Sequence, residues 1–245
     1  MRRRRGRTVA RISPLIERRP EEPEASVSGT PKVTRRDAVV LAGLVATGAL
    51  VGKALQYTAP LARDISSNPA ASAALSETSA RSDGNPNGRV RLIAFNDFLC
   101  PICKVTSPDL ARATRADGDV RVEYKDLSFF GPLAEEAARF GVAMSYQEKY
   151  PTFHHGVMQQ PRQTDRALLR DVIETAGGSW EQAERDLVAR DQDISAILRR
   201  DSLLAFTLGI GGTPAFLIGG LLAIGRKSER EFRDIFDQAR ELKSY

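Results

Sequence analysis

The chain has 245 residues, 42% of them hydrophobic and 27% charged, with a net charge of +5. That length suits one domain of ordinary size with a further segment beside it. Only two cysteines are present, too few for a disulfide-stapled scaffold. The charge is uneven: residues 1–80 hold 13 Lys and Arg against 7 Asp and Glu, whereas residues 81–245 hold 23 against 24. The basic excess therefore belongs to the leader.

Residues 1–37 form a basic region, from Arg2 to Arg5 through a Pro- and Glu-rich stretch to Thr34-Arg35-Arg36-Asp37. The weakly apolar segment 38–55 follows. Its run from Ala38 to Gly52 is short for a spanning helix and rich in Gly and Ala, which suits a signal h-region. Thr-Arg-Arg directly before it is similar to a twin-arginine signal, although Ala38 and Val39 replace the usual Phe and Leu. Two outcomes stay open: a cleaved signal, or a retained inner-membrane anchor with Lys53 snorkelling. In both, the basic side stays in the cytoplasm and the rest of the chain is exported. No aromatics are interleaved with the arginines, so a nucleic-acid partner is not expected. Residues 56–88, rich in Ala, Ser, Asn and Pro, read as a linker that ends in the turn residues Asp83 to Gly88.

From Arg89 to Asn96 the pattern predicts a half-buried strand, and a helix can begin after Cys103. Between them lies Cys100-Pro101-Ile102-Cys103, at the spacing of a redox pair. A cysteine at a helix start meets unpaired backbone N–H groups and the positive end of the helix dipole, both of which favour a thiolate. Cys100 is thus placed as the exposed nucleophile, and Cys103, one turn on, as the resolving thiol. Structural zinc would need four ligands. The adjacent His154 and His155 diverge on a helix or strand and form a poor second pair, so no metal site is assigned.

Val120 to Lys125 alternates as a second strand. Helices dominate from Pro132 to Leu208. Leu133, Ala137, Phe140 and Met144 share one face; Thr164 can open a helix that buries Leu168, Val172 and Ala176; Ser179 to Gln182 is a capping box; Ile194, Ile197, Leu204 and Leu208 stripe a later helix. Trp180 reads as core. His154 and His155 reach the cysteines only if this block folds over them. Gly209 to Gly212 then leads to Thr213-Pro214, where the proline opens an apolar strand and cannot donate to its ladder. A hairpin, 215–218 and 221–224 joined by Gly219-Gly220, and a Ser228-capped helix with Phe232, Ile235, Phe236 and Ala239 inward complete the chain.

Phe95-Asn-Asp97-Phe-Leu-Cys100-Pro101-Ile-Cys103, followed 114 residues after Cys100 by Pro214 within Gly-Gly-Thr213-Pro214-Ala-Phe, resembles the DsbA-like branch of the thioredoxin superfamily. The resemblance covers about residues 89–243 and implies an α/β thioredoxin-like fold with an inserted helical domain at about 132–208, the whole domain running over 89–245. It also implies that the Thr213–Pro214 bond is cis and packs against the cysteine pair, and that Thr213 and Pro214 bind substrate backbone. Pro108 resembles the proline that bends the active-site helix in such proteins. Ala94 stands where several relatives carry a buried acid. Asp97 is similar to the Asp of relatives nearer the DsbG and ScsC types, and it is the candidate for proton handling. Ile102 replaces the histidine of the strongly oxidising CPHC centre, which implies a milder oxidant.

The expected function is an exported, periplasmic or membrane-tethered thiol:disulfide oxidoreductase that forms, reduces or isomerises disulfides. Its substrates would be protein thiols and disulfides, its redox partner an unidentified membrane or periplasmic protein, and no cofactor is assigned. A thiol-based metal-binding chaperone using the same pair is the alternative, weakened by the presence of only three methionines.

Overall fold

The computed structural model describes residues 34–58, 60–161 and 164–242. Arg2 to Arg5 and the rest of the leader before Thr34 lie outside the described residues. Residues 35–58 form helix α1 (Arg35–Thr58), a unit by itself. Its start is capped within the Thr-Arg-Arg-Asp sequence: the Asp37 carboxylate accepts from the Thr34 N–H and hydroxyl at 2.9 and 2.8 Å, and Thr34 Oγ1 accepts from the Asp37 N–H at 3.3 Å. Val39, Leu41, Leu44 and Leu50 are exposed on it. No helix among the described residues is long and apolar enough to cross a membrane.

The second unit is built on a sheet. Strand β1 is Arg63–Asp64, β2 Ser82–Gly84, β3 Val90–Asn96, β4 Val120–Asp126, β5 Ala215–Ile218 and β6 Leu221–Ile224. They run in the order β1-β6-β5-β3-β4-β2, with β3 and β4 parallel and the other neighbours antiparallel. The parallel pair is joined through α3 (Pro101–Asp117), and the sheet ends in the β5–β6 hairpin and α9 (Glu229–Glu241). Gly219 and Gly220 both hold positive φ, at 48° and 84°, which a two-residue hairpin turn demands. The capping box of Ser228 and Glu231 opens α9 and turns Phe232, Ile235, Phe236 and Ala239 into the core.

β3, expected to be half-buried, is buried on both faces. Val90, Leu92 and Ala94 pack with Leu110 and Ala113 of α3 and with the apolar side of α9. Ile93 and Phe95 pack on the opposite face with Ala71, Ala74 and Leu75 of α2 (Pro69–Ser76) and with Ala205 of α8 (Asp191–Thr207). A central strand covered on both faces loses the polar alternation of a half-solvated one.

The second covering layer comes in part from residues expected to be a linker. Within 56–88, residues 56–58 end α1, while β1, α2 and β2 belong to the unit that carries the sheet. β1 pairs with β6 and β2 with β4, at opposite edges. Partners from this strap also bury the polar side of β4. Ser79 donates through its N–H and hydroxyl to Glu123 at 2.9 and 2.7 Å. Arg81 bridges Asp126 at 3.2 Å and Asp201 of α8 at 2.7 Å, all three side chains being buried.

The inserted block comprises α4 (Pro132–Tyr146), α5 (Tyr150–Met158), α6 (Arg166–Thr175), α7 (Trp180–Ala189) and α8. It has its own core of Phe140, Met144, Phe153, Leu168, Val172 and Trp180, continuous with Phe98, Cys100 and Cys103. Asp165, not Thr164, caps α6 by accepting from the Leu168 N–H at 2.7 Å; the buried Thr164 hydroxyl instead donates to the Phe98 carbonyl at 3.1 Å. The stripe on α8 is only partly buried: Ile194 and Leu208 are enclosed, Ile197 and Leu204 half-enclosed.

Candidate active site

The cysteine pair lies at the carboxyl end of β3, the central strand, where the chain turns into α3. Cys100 is the N-cap of α3 and Pro101 its first helical residue, a position where a missing N–H costs no hydrogen bond. The Cys100 N–H donates to the Asp97 carbonyl at 3.0 Å, and its sulfur accepts from the Cys103 N–H at 3.3 Å. The sulfur therefore occupies the place of a capping oxygen at the positive end of the helix. Pro108 sits inside α3 and withholds one donor from its ladder. Both cysteines are free thiols.

The loop before β5 brings the other half of the site. The Thr213–Pro214 peptide is cis, and the Cys100 thiol donates to the Thr213 carbonyl at 3.4 Å. This contact corrects the expectation of an exposed Cys100: it is 2% exposed and Cys103 0%. Thr213 is 113 residues away in sequence and the inserted helices share the buried cluster that holds Cys100, so burial could not be read from the local pattern.

The two thiols are nonetheless set far apart in acidity. The Cys103 thiol, acting as a donor to the neighbouring sulfur, is the main cause that brings Cys100 down from 9.0 to about 6; burial opposes it, and Thr213 with the N–H groups of Cys103 and Ile102 assists. Burial first, and then the adjacent Cys100, push Cys103 far above the usual thiol range. The Thr213 hydroxyl is buried and outside full hydrogen-bond geometry with any group, yet lies near enough to both sulfurs to favour their ionised forms. The arrangement can hold one thiolate and one thiol, the condition for a nucleophile with a resolving partner.

Asp97 is fully buried. Its Oδ1 accepts from the Leu99 N–H at 2.8 Å and its Oδ2 from the Phe130 N–H at 3.1 Å. Burial raises its carboxyl pKa, against the lowering effect of the N–H groups of Leu99, Phe130 and Phe129. The histidines serve the packing of the block. His154 is buried with its ring 4.1 Å from that of Tyr124 and 5.6 Å from that of Phe98, and burial holds it neutral with a pKa of about 3. His155 meets Asp83 of β2 at 2.7 Å. Trp180 stacks on Phe140 at 4.7 Å. Among the described residues no group of three or more His, Cys, Asp and Glu side chains is placed to hold a metal ion.

The chain matches the model of the DSBA-like thioredoxin domain over residues 91–237. It belongs to that family. As a DsbA-like protein it has the thioredoxin-like fold with a helical insertion, and it is a protein-disulfide oxidoreductase. It is similar to the probable disulfide bond formation protein D of Bacillus cereus, 26% identical over 153 residues that make up 57% of this chain and 70% of that protein. Among solved structures it resembles a thioredoxin-like oxidoreductase from Silicibacter pomeroyi DSS-3 (29% identity, TM-score 0.62, 65% of this chain and 91% of that one). It also resembles the thiol-disulfide exchange protein alpha-DsbA2 from Wolbachia pipientis (25% identity, TM-score 0.61, 64% and 85%).

Sequence reasoning passed over the Phe129-Phe130 pair beside Asp97, whose signal was two consecutive aromatics before Gly-Pro in a loop. It also passed over Arg81, a single charge among polar residues with no periodic mark.

Proposed function

We propose that this chain is an exported thiol:disulfide oxidoreductase that acts on protein substrates through Cys100 and Cys103. The observation that carries the proposal is the placement of the Cys100 sulfur as the cap of α3, bonded to the Cys103 N–H and facing Thr213. In the oxidised protein a substrate thiolate attacks the Cys100 sulfur, the Cys100–Cys103 bond breaks, and Cys103 leaves as a thiolate that takes up a proton. A second substrate thiolate then attacks the substrate's own sulfur in the mixed disulfide and releases Cys100 as a thiolate. The substrate has lost two electrons to the cysteine pair. The reverse sequence, with Cys100 attacking and Cys103 resolving, reduces or isomerises disulfides. A thiolate that leaves easily favours release of the reduced protein, hence the oxidising direction.

The Thr213 carbonyl, once the Cys100 thiol no longer donates to it, is free to accept a backbone N–H of an extended substrate beside Pro214. Export rests on the basic leader and the apolar run inside α1, which together have the composition of a signal. The mature N-terminus of the protein recovered outside the cytoplasm distinguishes a cleaved signal from a retained one.

Cys103→Ser tests the chemistry. It should accumulate mixed disulfides between Cys100 and substrate proteins, visible as reducible adducts, because the resolving thiol is gone. If Cys100→Ser traps substrates instead, the assignment of nucleophile and resolver is reversed. If the reduced wild-type protein is recovered with bound metal and exchanges no disulfides, the pair serves metal binding.

A further inference from the structure

A fully buried carboxylate is costly unless its charge is answered. The groups that favour the ionised form of Asp97 are backbone N–H groups, those of Leu99, Phe130 and Phe129. Those N–H groups belong to two different segments. Leu99 lies in the turn that delivers Cys100, and Phe130 lies in the loop between β4 and α4. The carbonyl of the same Asp97 holds the Cys100 N–H, and the Leu127 N–H bonds the Asn96 carbonyl at 2.7 Å, so the β4–α4 loop is fastened to the redox turn at consecutive residues.

That loop carries Phe129 and Phe130, which are 52% and 53% exposed, and the first turns of α3 expose Ile102 and Val105 on either side of Cys103. Two exposed phenyl rings in sequence contribute nothing to the described cores. Aromatic side chains on a loop of fixed backbone are well suited to bind an apolar segment at low entropic cost.

We propose that Asp97 is a positioning residue: its carboxylate ties the Phe129-Phe130 loop to the redox turn, so that the rings engage apolar residues flanking the substrate cysteine during exchange. The assignment rests on the exchange reaction proposed above. It differs from proton handling in what the carboxylate acts on: its oxygens hold backbone N–H groups of two segments, and since each oxygen keeps a further lone pair, the pH profile is the measurement that separates the two roles. Substrate preference is then the property that the tether sets.

The test uses the full chain and two dithiol peptides that differ only in whether Leu and Phe or Ser and Gly flank the cysteines. Wild-type protein should show a lower KM for the apolar peptide. Phe129→Ala with Phe130→Ala should raise that KM about tenfold, the effect of losing a strong aromatic anchor, and change the polar peptide's KM far less. Asp97→Ala should reproduce the loss, and combining all three substitutions should add little to either, because the rings act through the tether. Asp97→Asn should fall between, since its carbonyl keeps one N–H partner while its amide faces the other. Should Asp97→Ala not fold, Asp97→Asn and the phenylalanine variants decide the question by the same KM split. A uniform loss of kcat on both peptides with a displaced pH profile would overturn the proposal in favour of proton handling. Additive losses from tether and rings, or a wild type that exchanges both peptides with equal KM, would overturn it too. Absence of exchange with either peptide in the wild type would instead remove the proposed function beneath it.

Discussion

Cys100 owes its acidity to neighbours, and each neighbour can be removed. The Cys103 thiol is the largest cause and Thr213 a smaller one. Alkylation of Cys100 should therefore follow a titration centred near pH 6, with Cys103 unreactive across the neutral range. Cys103→Ala should move the midpoint up further than Thr213→Val. The potential of the pair should carry the same signature. Below pH 6 reduction takes up two electrons and two protons, and above it one proton fewer, so the slope of potential against pH halves there. The sign follows from a lowered thiol: its stabilisation of the reduced fold is full above pH 9, declines as pH falls towards about 6, and is absent below. An alkylation midpoint at the ordinary thiol value would contradict the network. The place of Cys100 at the start of α3, with Cys103 one turn on, was legible in two cysteines at helix-start spacing. The burial of Cys100 was not, because it depends on Thr213 and the inserted helices arriving from other parts of the chain.

At the scale of elements, β4 shows why charge patterns mislead. Val120 to Lys125 alternates as if one face met water, yet Glu123, Lys125 and Asp126 are all buried. Their partners come from the 77–84 strap and from α8, segments far apart in sequence. Arg81 is the most exacting of them, because it holds two buried carboxylates at once; Lys125 reaches Asp201 only at 3.6 Å. Removing one member of such a cluster leaves uncompensated charge in the interior, at a cost of about 3–5 kcal/mol. Arg81→Met should lower the unfolding free energy by about that amount, measured from urea midpoints at neutral pH. Burial raises the Asp126 carboxyl while Arg81 and the Tyr150 hydroxyl pull it down. Without the guanidinium it should protonate more readily, and the penalty should shrink as pH falls. A loss under about 1 kcal/mol would show that water reaches these groups. The amphipathic helices, by contrast, were legible because α4 and α9 bury residues that recur at helical spacing within one segment.

For the molecule as a whole, the boundary of the domain is where sequence pattern and fold part most clearly. Composition places the start near Arg89, since residues 56–88 have no periodicity. Two- and three-residue strands are too short to show any, and α2 is mostly alanine and serine. In the fold these pieces close both edges of the sheet, β1 on β6 and β2 on β4, and α2 covers the face that presents Ile93, Phe95, Leu217 and Leu222. A chain cut at Arg89 would leave two open strand edges, an uncovered apolar face, and Asp126 and Asp201 without Arg81. Open edges beside apolar surface promote pairing between molecules. A chain beginning at Pro60 should therefore be monodisperse, unfold cooperatively and keep dithiol exchange at the full-length rate, because it loses only α1 and the leader. The Arg89 truncation should aggregate or unfold at far lower urea. Equal midpoints and equal exchange rates for the two truncations would show that the strap merely decorates a self-sufficient core. A Pro60 truncation that fails to fold would place part of the domain's stability in α1.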